Sequence, residues 1–356
     1  MTLFYSIIIV IMIKSVKKHE NSIIQENKRK RLAKFYKNSK NKPNNVDGPT
    51  NQVVTRVYGE TSPMPIKPKI IVKNNMILFL RGHIRDSFEN NSLYNFIFYL
   101  STKYNLYIFI HTWNIISSNI SWREIKMNKG VVTPHIIQNY FKNIKLEKII
   151  IDTDNNIELN GNIKGCIKTT LMPIKGWKYM WYGMNRLSDY ILHNLKSYKL
   201  SENTYTLNTR FDYFNNSTIN QYISNATNLT DYNFMNTLFD FNTKDINFLI
   251  NPPHFFGIDN LYFGKFYKIY YTIKLFHIKL DDIIDCFDYI YAQENLVKLI
   301  QPYINSHCDN NIYQTNYVMQ NIENVLISMK KTYIDSIKNN YIQLNNDVIV
   351  QYTHNN

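Results

Sequence analysis

Small groups of polar residues interrupt the apolar stretches of this 356-residue chain, and their side chains are of the types that handle anions and protons. Arg81 and Arg85 come directly after the run Met76–Leu80. Each guanidinium offers a planar fork of donors, so the two together suit a diphosphate or a nucleobase edge. His111 and Trp113 follow the run Leu106–Ile110, and the indole could form a flat wall for a base or a sugar ring. Arg210 and Asp212 follow Tyr205–Thr209, where the arginine could hold a phosphate bidentately or pair with a carboxylate. Asp259 sits among Phe255, Phe256, Gly257 and Ile258. The glycine permits close approach, and an apolar surround raises a carboxylate pKa toward the range of a general base. Asp152-Thr153-Asp154 is a literal Asp-x-Asp, but Asn155 and Asn156 follow it and the stretch reads as a solvated turn.

These groups need elements to position them. Met76–Leu80 and Leu106–Ile110 are continuous apolar runs of strand length, and Lys148–Ile151 is a weaker one. Leu93–Tyr104 carries apolar residues at helical spacing, as does Met180, Met184, Leu187, Ile191 and Leu195; Pro134–Phe141 is a further helix. Tyr205–Thr209, Phe248–Ile250 and Phe255–Phe263 read as strands, and Gly264–Leu275, Glu294–Ile304 and Glu323–Asn339 as helices. Strand, polar turn, helix, strand is the alternation of a parallel α/β sheet, whose strand carboxyl ends are where such folds take their ligands. The expected fold class is therefore α/β with a mixed, mostly parallel sheet flanked by helices.

The basic charge is uneven. Through Lys73 there are 15 Lys/Arg against 4 Asp/Glu, a net +11, which leaves +3 of the chain's +14 for everything after it. Residues 1–74 read as a leader: an apolar run Leu3–Ile13, then a polar, proline-dotted stretch with the dense group Lys28-Arg29-Lys30-Arg31. The eleven-residue run falls short of the ~20 a spanning helix needs, so a short hydrophobic leader with weak membrane association through residues 3–13 and a cytoplasmic setting is favoured over a membrane anchor, which stays the alternative. The basic group could touch nucleic acid or anionic lipid, but a solvated arm is the simpler reading. Residues 75–330 form the expected catalytic domain and 331–356 a helical extension or tail. Cys166, Cys286 and Cys308 are too few and too scattered for a disulfide framework or a zinc module, and no Walker loop or Gly-x-Gly-x-x-Gly turn occurs. The excess of Tyr, Ile, Asn and Lys follows AT-rich codons, and triplets such as Asn119-Ile120-Ser121 arise freely in so Asn-rich a chain.

The order of motifs resembles that of GT-A-type glycosyltransferases of bacteria and large DNA viruses. The matching pieces are Leu78–Arg85, Ile110–Asn114, the helix around Met180-Trp181-Tyr182, Thr209–Asp212, and Phe256–Gly264, with a looser match at Gln293-Glu294-Asn295. The resemblance implies a single Rossmann-like domain, a nucleotide-sugar donor, a glycan or other hydroxyl acceptor, and a divalent metal, Mn²⁺ or Mg²⁺. It places nucleotide contacts at Arg81 and Arg85 and matches the metal turn to Arg210 and Asp212, with the metal on Asp212; His111 and Trp113 are further candidate donor contacts, and Asp259 is the candidate base or acceptor contact from its chemistry and setting. Arg210 stands where such a metal turn has its first acidic residue, a departure that leaves one carboxylate to work with donor phosphates and water. Two other classes stay open: a carbohydrate-binding protein of the same fold without transfer activity, and a nucleic-acid-binding protein acting through the basic arm.

Overall fold

The computed structural model describes residues 73–121, 125–167, 172–213, 238–248, 261–287 and 293–353, with only the backbone described at 155, 293–295 and 337–353. Its centre is a six-stranded sheet of order β5-β2-β1-β6-β8-β7, formed by β1 (Asn75–Arg81), β2 (Asn105–Trp113), β5 (Lys148–Asp152), β6 (Tyr205–Arg210), β7 (Asn247–Phe248) and β8 (Leu261–Lys265). β5, β2, β1 and β6 are parallel, whereas β8 runs antiparallel to β6 and to β7. The fold is thus α/β with a mostly parallel mixed sheet. β3 (Ile115–Ser117) and β4 (Asn128–Val131) form a separate antiparallel pair.

Helices cover both faces, which is why β1 reads as an unbroken apolar run rather than an alternating one. Met76, Leu78 and Leu80 face a core that contains Leu93, Phe96, Ile97 and Leu100 of α1 (Ser92–Lys103), and Ile137 of α2 (Pro134–Tyr140). The α1 residues recur at the three-to-four spacing that puts them on one helical face. α2 starts as a short helix should: Pro134 needs no N–H there, and Thr133 accepts from the Ile136 amide at 3.3 Å.

Ile77 and Phe79 point the other way, into a core built on α3 (Ile174–Asn194) and α4 (Phe266–Asp285). Trp177 and Trp181 of α3 are fully buried, and Trp181 stacks on Phe276 of α4 at 4.3 Å between ring centroids. Removing such a side chain costs roughly 3–5 kcal/mol through lost contacts and the cavity it leaves. α4 kinks at Lys279, whose φ of −121° is not helical. α5 (Gln293–Leu299), α6 (Gln301–His307) and α7 (Thr315–Thr353) complete the helical layer.

β1, β5, β6, α1 and α2 appear within a residue or two of their anticipated bounds, whereas β2 continues to Trp113, α4 runs on past Leu275 to Asp285, and most of the expected strand Phe255–Phe263 lies outside the described residues. Glu294–Ile304 is two helices instead of one, because Pro302 opens a new helix at α6. α7 is longer than the expected Glu323–Asn339 and runs through position 330 without a break. The β3–β4 pair was not expected. Among the described residues no helix is long and apolar enough to cross a membrane.

Candidate functional site

Strand register brings the polar groups together. Arg81 pairs with His111 on one side and with Arg210 on the other, while Trp113 pairs with Asp152 on β5. Arg81, His111, Trp113, Arg210 and Asp152 all stand at the carboxyl ends of four neighbouring parallel strands. The turn after β1 starts with Gly82 at φ +98°, a conformation open to glycine, and its amide donates to the His111 carbonyl at 3.2 Å. Arg85 is itself left-handed at φ +54° and is held there by an amide bond to the Ile116 carbonyl at 2.9 Å. This conformation costs a non-glycine residue about 1–2 kcal/mol, so the surrounding contacts impose it.

Two charged assemblies result. In the first, Arg85 and Arg210 converge on one carboxylate. Arg210 Nε donates to Asp212 Oδ1 at 2.7 Å, its Nη2 reaches Oδ2, and Arg85 Nη1 donates to that same Oδ2. Asp212 is buried in the 3-10 turn Phe211–Tyr213, and both arginine side chains are about one-fifth exposed. In the second assembly, His111 Nε2 and Arg186 Nε of α3 meet Asp152 Oδ2 at 3.2 and 3.1 Å. The His111 bond, ahead of that from Arg186, lowers the Asp152 pKa. Burial lowers the His111 pKa, so the imidazole is neutral and donates its Nε2–H to the carboxylate.

An aromatic group lies against these charges. Trp113 is stacked with His83 at 6.0 Å and with Tyr182 at 6.2 Å, and Tyr179 meets it edge-on at 5.1 Å. Burial, followed by the nearby Arg85 charge, lowers the His83 pKa to about 3, and its Nε2 is buried with no hydrogen-bond partner among the described residues.

The residues expected to bind a donor therefore share one edge but differ in access. Arg85 and Arg210 are partly open to solvent, whereas Asp212 between them is buried. Arg81, whose Nε donates to Asn208 Oδ1 at 3.1 Å, is 2% exposed, His111 is 1% exposed and Trp113 is 3% exposed. Trp113 is core, so the surfaces left for a ligand ring belong to the half-buried His83, Tyr179 and Tyr182. Asp259 lies outside the described residues.

A divalent metal on Asp212 does not fit the donor set found there. Both carboxylate oxygens already accept from arginine, and a cation would sit beside two fixed guanidinium charges. No group of three or more His, Cys, Asp or Glu side chains that could hold a metal occurs among the described residues.

In the sequence Asp152 stands out only as part of an Asp-x-Asp turn, and Arg186 and His83 carry no site role. Asp152 is no solvated turn: it is the partner that fixes His111. Arg186 lies one turn after Tyr182 on α3, and Gly183 between them lets the helix approach β2. His83 was visible only as part of the Arg81–Arg85 turn. Comparison of the chain with protein-family models, with curated proteins and with solved structures finds no match.

Proposed function

We propose that this chain is a glycosyltransferase of GT-A-like architecture that moves a sugar from a nucleoside-diphosphate donor to a hydroxyl acceptor, on a glycan. The observation that carries the reading is the convergence of Arg85 and Arg210, partly exposed, at the carboxyl edge of the parallel strands. That edge is where open α/β sheets take nucleotide ligands. Sugar transfer expels a diphosphate whose negative charge grows in the transition state, so fixed donors beside it lower the barrier. In this reading Arg85 and Arg210 face the diphosphate, while His83 and Tyr182 flank the donor's rings. Arg81, His111 and Trp113 hold the turn and strand ends in place from below. Asp259 keeps the base or acceptor role that its apolar, glycine-flanked setting in the sequence suggests.

A second reading, a carbohydrate-binding protein without transfer activity, is favoured by one observation. Asp212, the carboxylate nearest the expected chemistry, is engaged by two arginines. Incubating the full chain with a panel of nucleotide sugars, with Mn²⁺ or with EDTA, and following release of the nucleoside diphosphate separates the two. Binding without release or transfer under every condition would leave only the second reading.

A further inference from the structure

The resemblance calls for a metal at the turn where this chain places an arginine and a doubly engaged aspartate. Resting on the reading above, we infer that the site binds its diphosphate without a metal, with Arg85 and Arg210 supplying the positive charge and Asp212 acting as their internal counter-ion.

The argument starts from the shape of the pair. Arg210 holds Asp212 by its fork, Nε to Oδ1 and Nη2 to Oδ2, the arrangement a guanidinium also adopts on a phosphate. Arg85 comes to the same Oδ2 from a turn whose backbone is held left-handed by its amide bond to Ile116. Two guanidinium groups 125 positions apart in the chain thus aim at a single point, with a carboxylate between them. A carboxylate and a phosphate oxygen pair make the same demand on those donors. Asp212 therefore keeps both arginines ordered and offsets one of their two charges when no ligand is bound. A diphosphate, carrying more charge and more acceptor oxygens than one carboxylate, can recruit the partly exposed guanidinium groups toward itself. Adding a divalent cation to this arrangement would set it against two positive charges, which the geometry disfavours.

Neighbouring groups agree. His83 presents a buried, unpartnered Nε2 among the described residues and lies beside the arginines on Trp113, which it meets at 6.0 Å. A neutral imidazole there can donate to a phosphate oxygen or accept from a ribose hydroxyl without adding charge.

The test uses the full chain with UDP, GDP and inorganic pyrophosphate as probes, by thermal shift and calorimetry, in excess EDTA and again in Mn²⁺. The expected result is equal nucleoside-diphosphate binding in both conditions, weakened at least about tenfold by Arg85→Met and by Arg210→Met, since each removes charge-assisted hydrogen bonds. Asp212→Asn should tighten binding severalfold while lowering the unliganded Tm, a pairing of effects that a purely structural aspartate would not produce. If either arginine variant fails to fold, Arg85→Lys together with Asp212→Asn decides the matter, because lysine keeps the charge and loses the fork. Binding that appears only with Mn²⁺ overturns the inference and leaves the transferase reading standing. Unchanged affinity in the arginine variants, or lost affinity in Asp212→Asn, also overturns it. Absence of binding by every probe in both conditions overturns the inference and the transferase reading together.

Discussion

A β-carbon built on Gly183 would lie 2.4 Å from Nδ1 of His111, so the helix α3 touches strand β2 through a hydrogen atom and a histidine ring. The ring cannot yield easily, because it is 1% exposed and its other nitrogen is bonded to Asp152. Gly183→Ala should therefore destabilise the fold. Overpacking costs about 1–3 kcal/mol, and the better helix propensity of alanine returns at most ~1 kcal/mol. Urea titration should show a net loss, and adding His111→Ala should make the pair strongly non-additive. Additive effects would mean that the contact is not the cause.

Asp152 and Arg186 form one ion pair, yet the two residues should not be equivalent. Arg186 is 48% exposed in its side chain, and water can replace its partner, so Arg186→Ala is expected to cost under ~1 kcal/mol. Asp152→Ala also strands the buried N–H of His111, which adds about 1–3 kcal/mol. Equal losses in chemical denaturation would contradict the role given to His111.

The protein should lose stability in acid earlier than its carboxylates alone would dictate. An unfolded imidazole titrates near 6.5, but in the folded chain His83 is lowered to about 3, by burial first. Below pH 6.5 the unfolded chain takes up a proton that the folded one refuses, so stability falls with pH by up to ~1.4 kcal/mol per unit until about pH 3. His111 is lowered as well and acts in the same direction. The depressed Asp152 carboxyl adds stability above its unfolded pKa and loses it only as pH falls through its lower folded value. His83→Asn should flatten the urea midpoint between pH 6.5 and 4; an unaltered slope would remove His83 from the account.

Trp113 and Tyr182 should separate stability from binding. Trp113→Ala is expected to cost roughly 3–5 kcal/mol and lower Tm sharply, as for any large core side chain. Tyr182→Ala, which uncovers one side of Trp113 but removes no fully buried ring, should lower Tm much less than Trp113→Ala and weaken the proposed nucleotide-sugar binding about tenfold. Thermal shift with and without ligand reads both, and a ligand effect confined to Trp113 would reverse the assignment.

The layered core was legible because its signals are local. Met76–Leu80 and Leu106–Ile110 are apolar without interruption, and Leu93, Phe96, Ile97 and Leu100 keep helical spacing, so strand and helix types follow from single stretches. The β3–β4 pair has no such signature: Ile115–Ser117 and Asn128–Val131 are short, irregular in register and largely exposed on β4. For the site, the strand-end residues could be named from their position after apolar runs. Their depth could not, since the burial of Trp113 depends on Tyr179 and Tyr182 arriving from α3. The tie between His111 and Asp152 likewise depends on the register of β2 with β5, which no local pattern encodes.

Arg85 and Asp212 are 127 positions apart and meet only because β6 lies directly beside β1. Closing so long a loop costs entropy before its contacts form, so this pairing is expected to follow that of β1 with β2 in folding. A nascent or partly folded chain with its first two strands already paired would still lack the guanidinium cluster. The proposed diphosphate binding is therefore expected to report on completion of the sheet's centre and, during refolding, to return with the final gain of protease resistance.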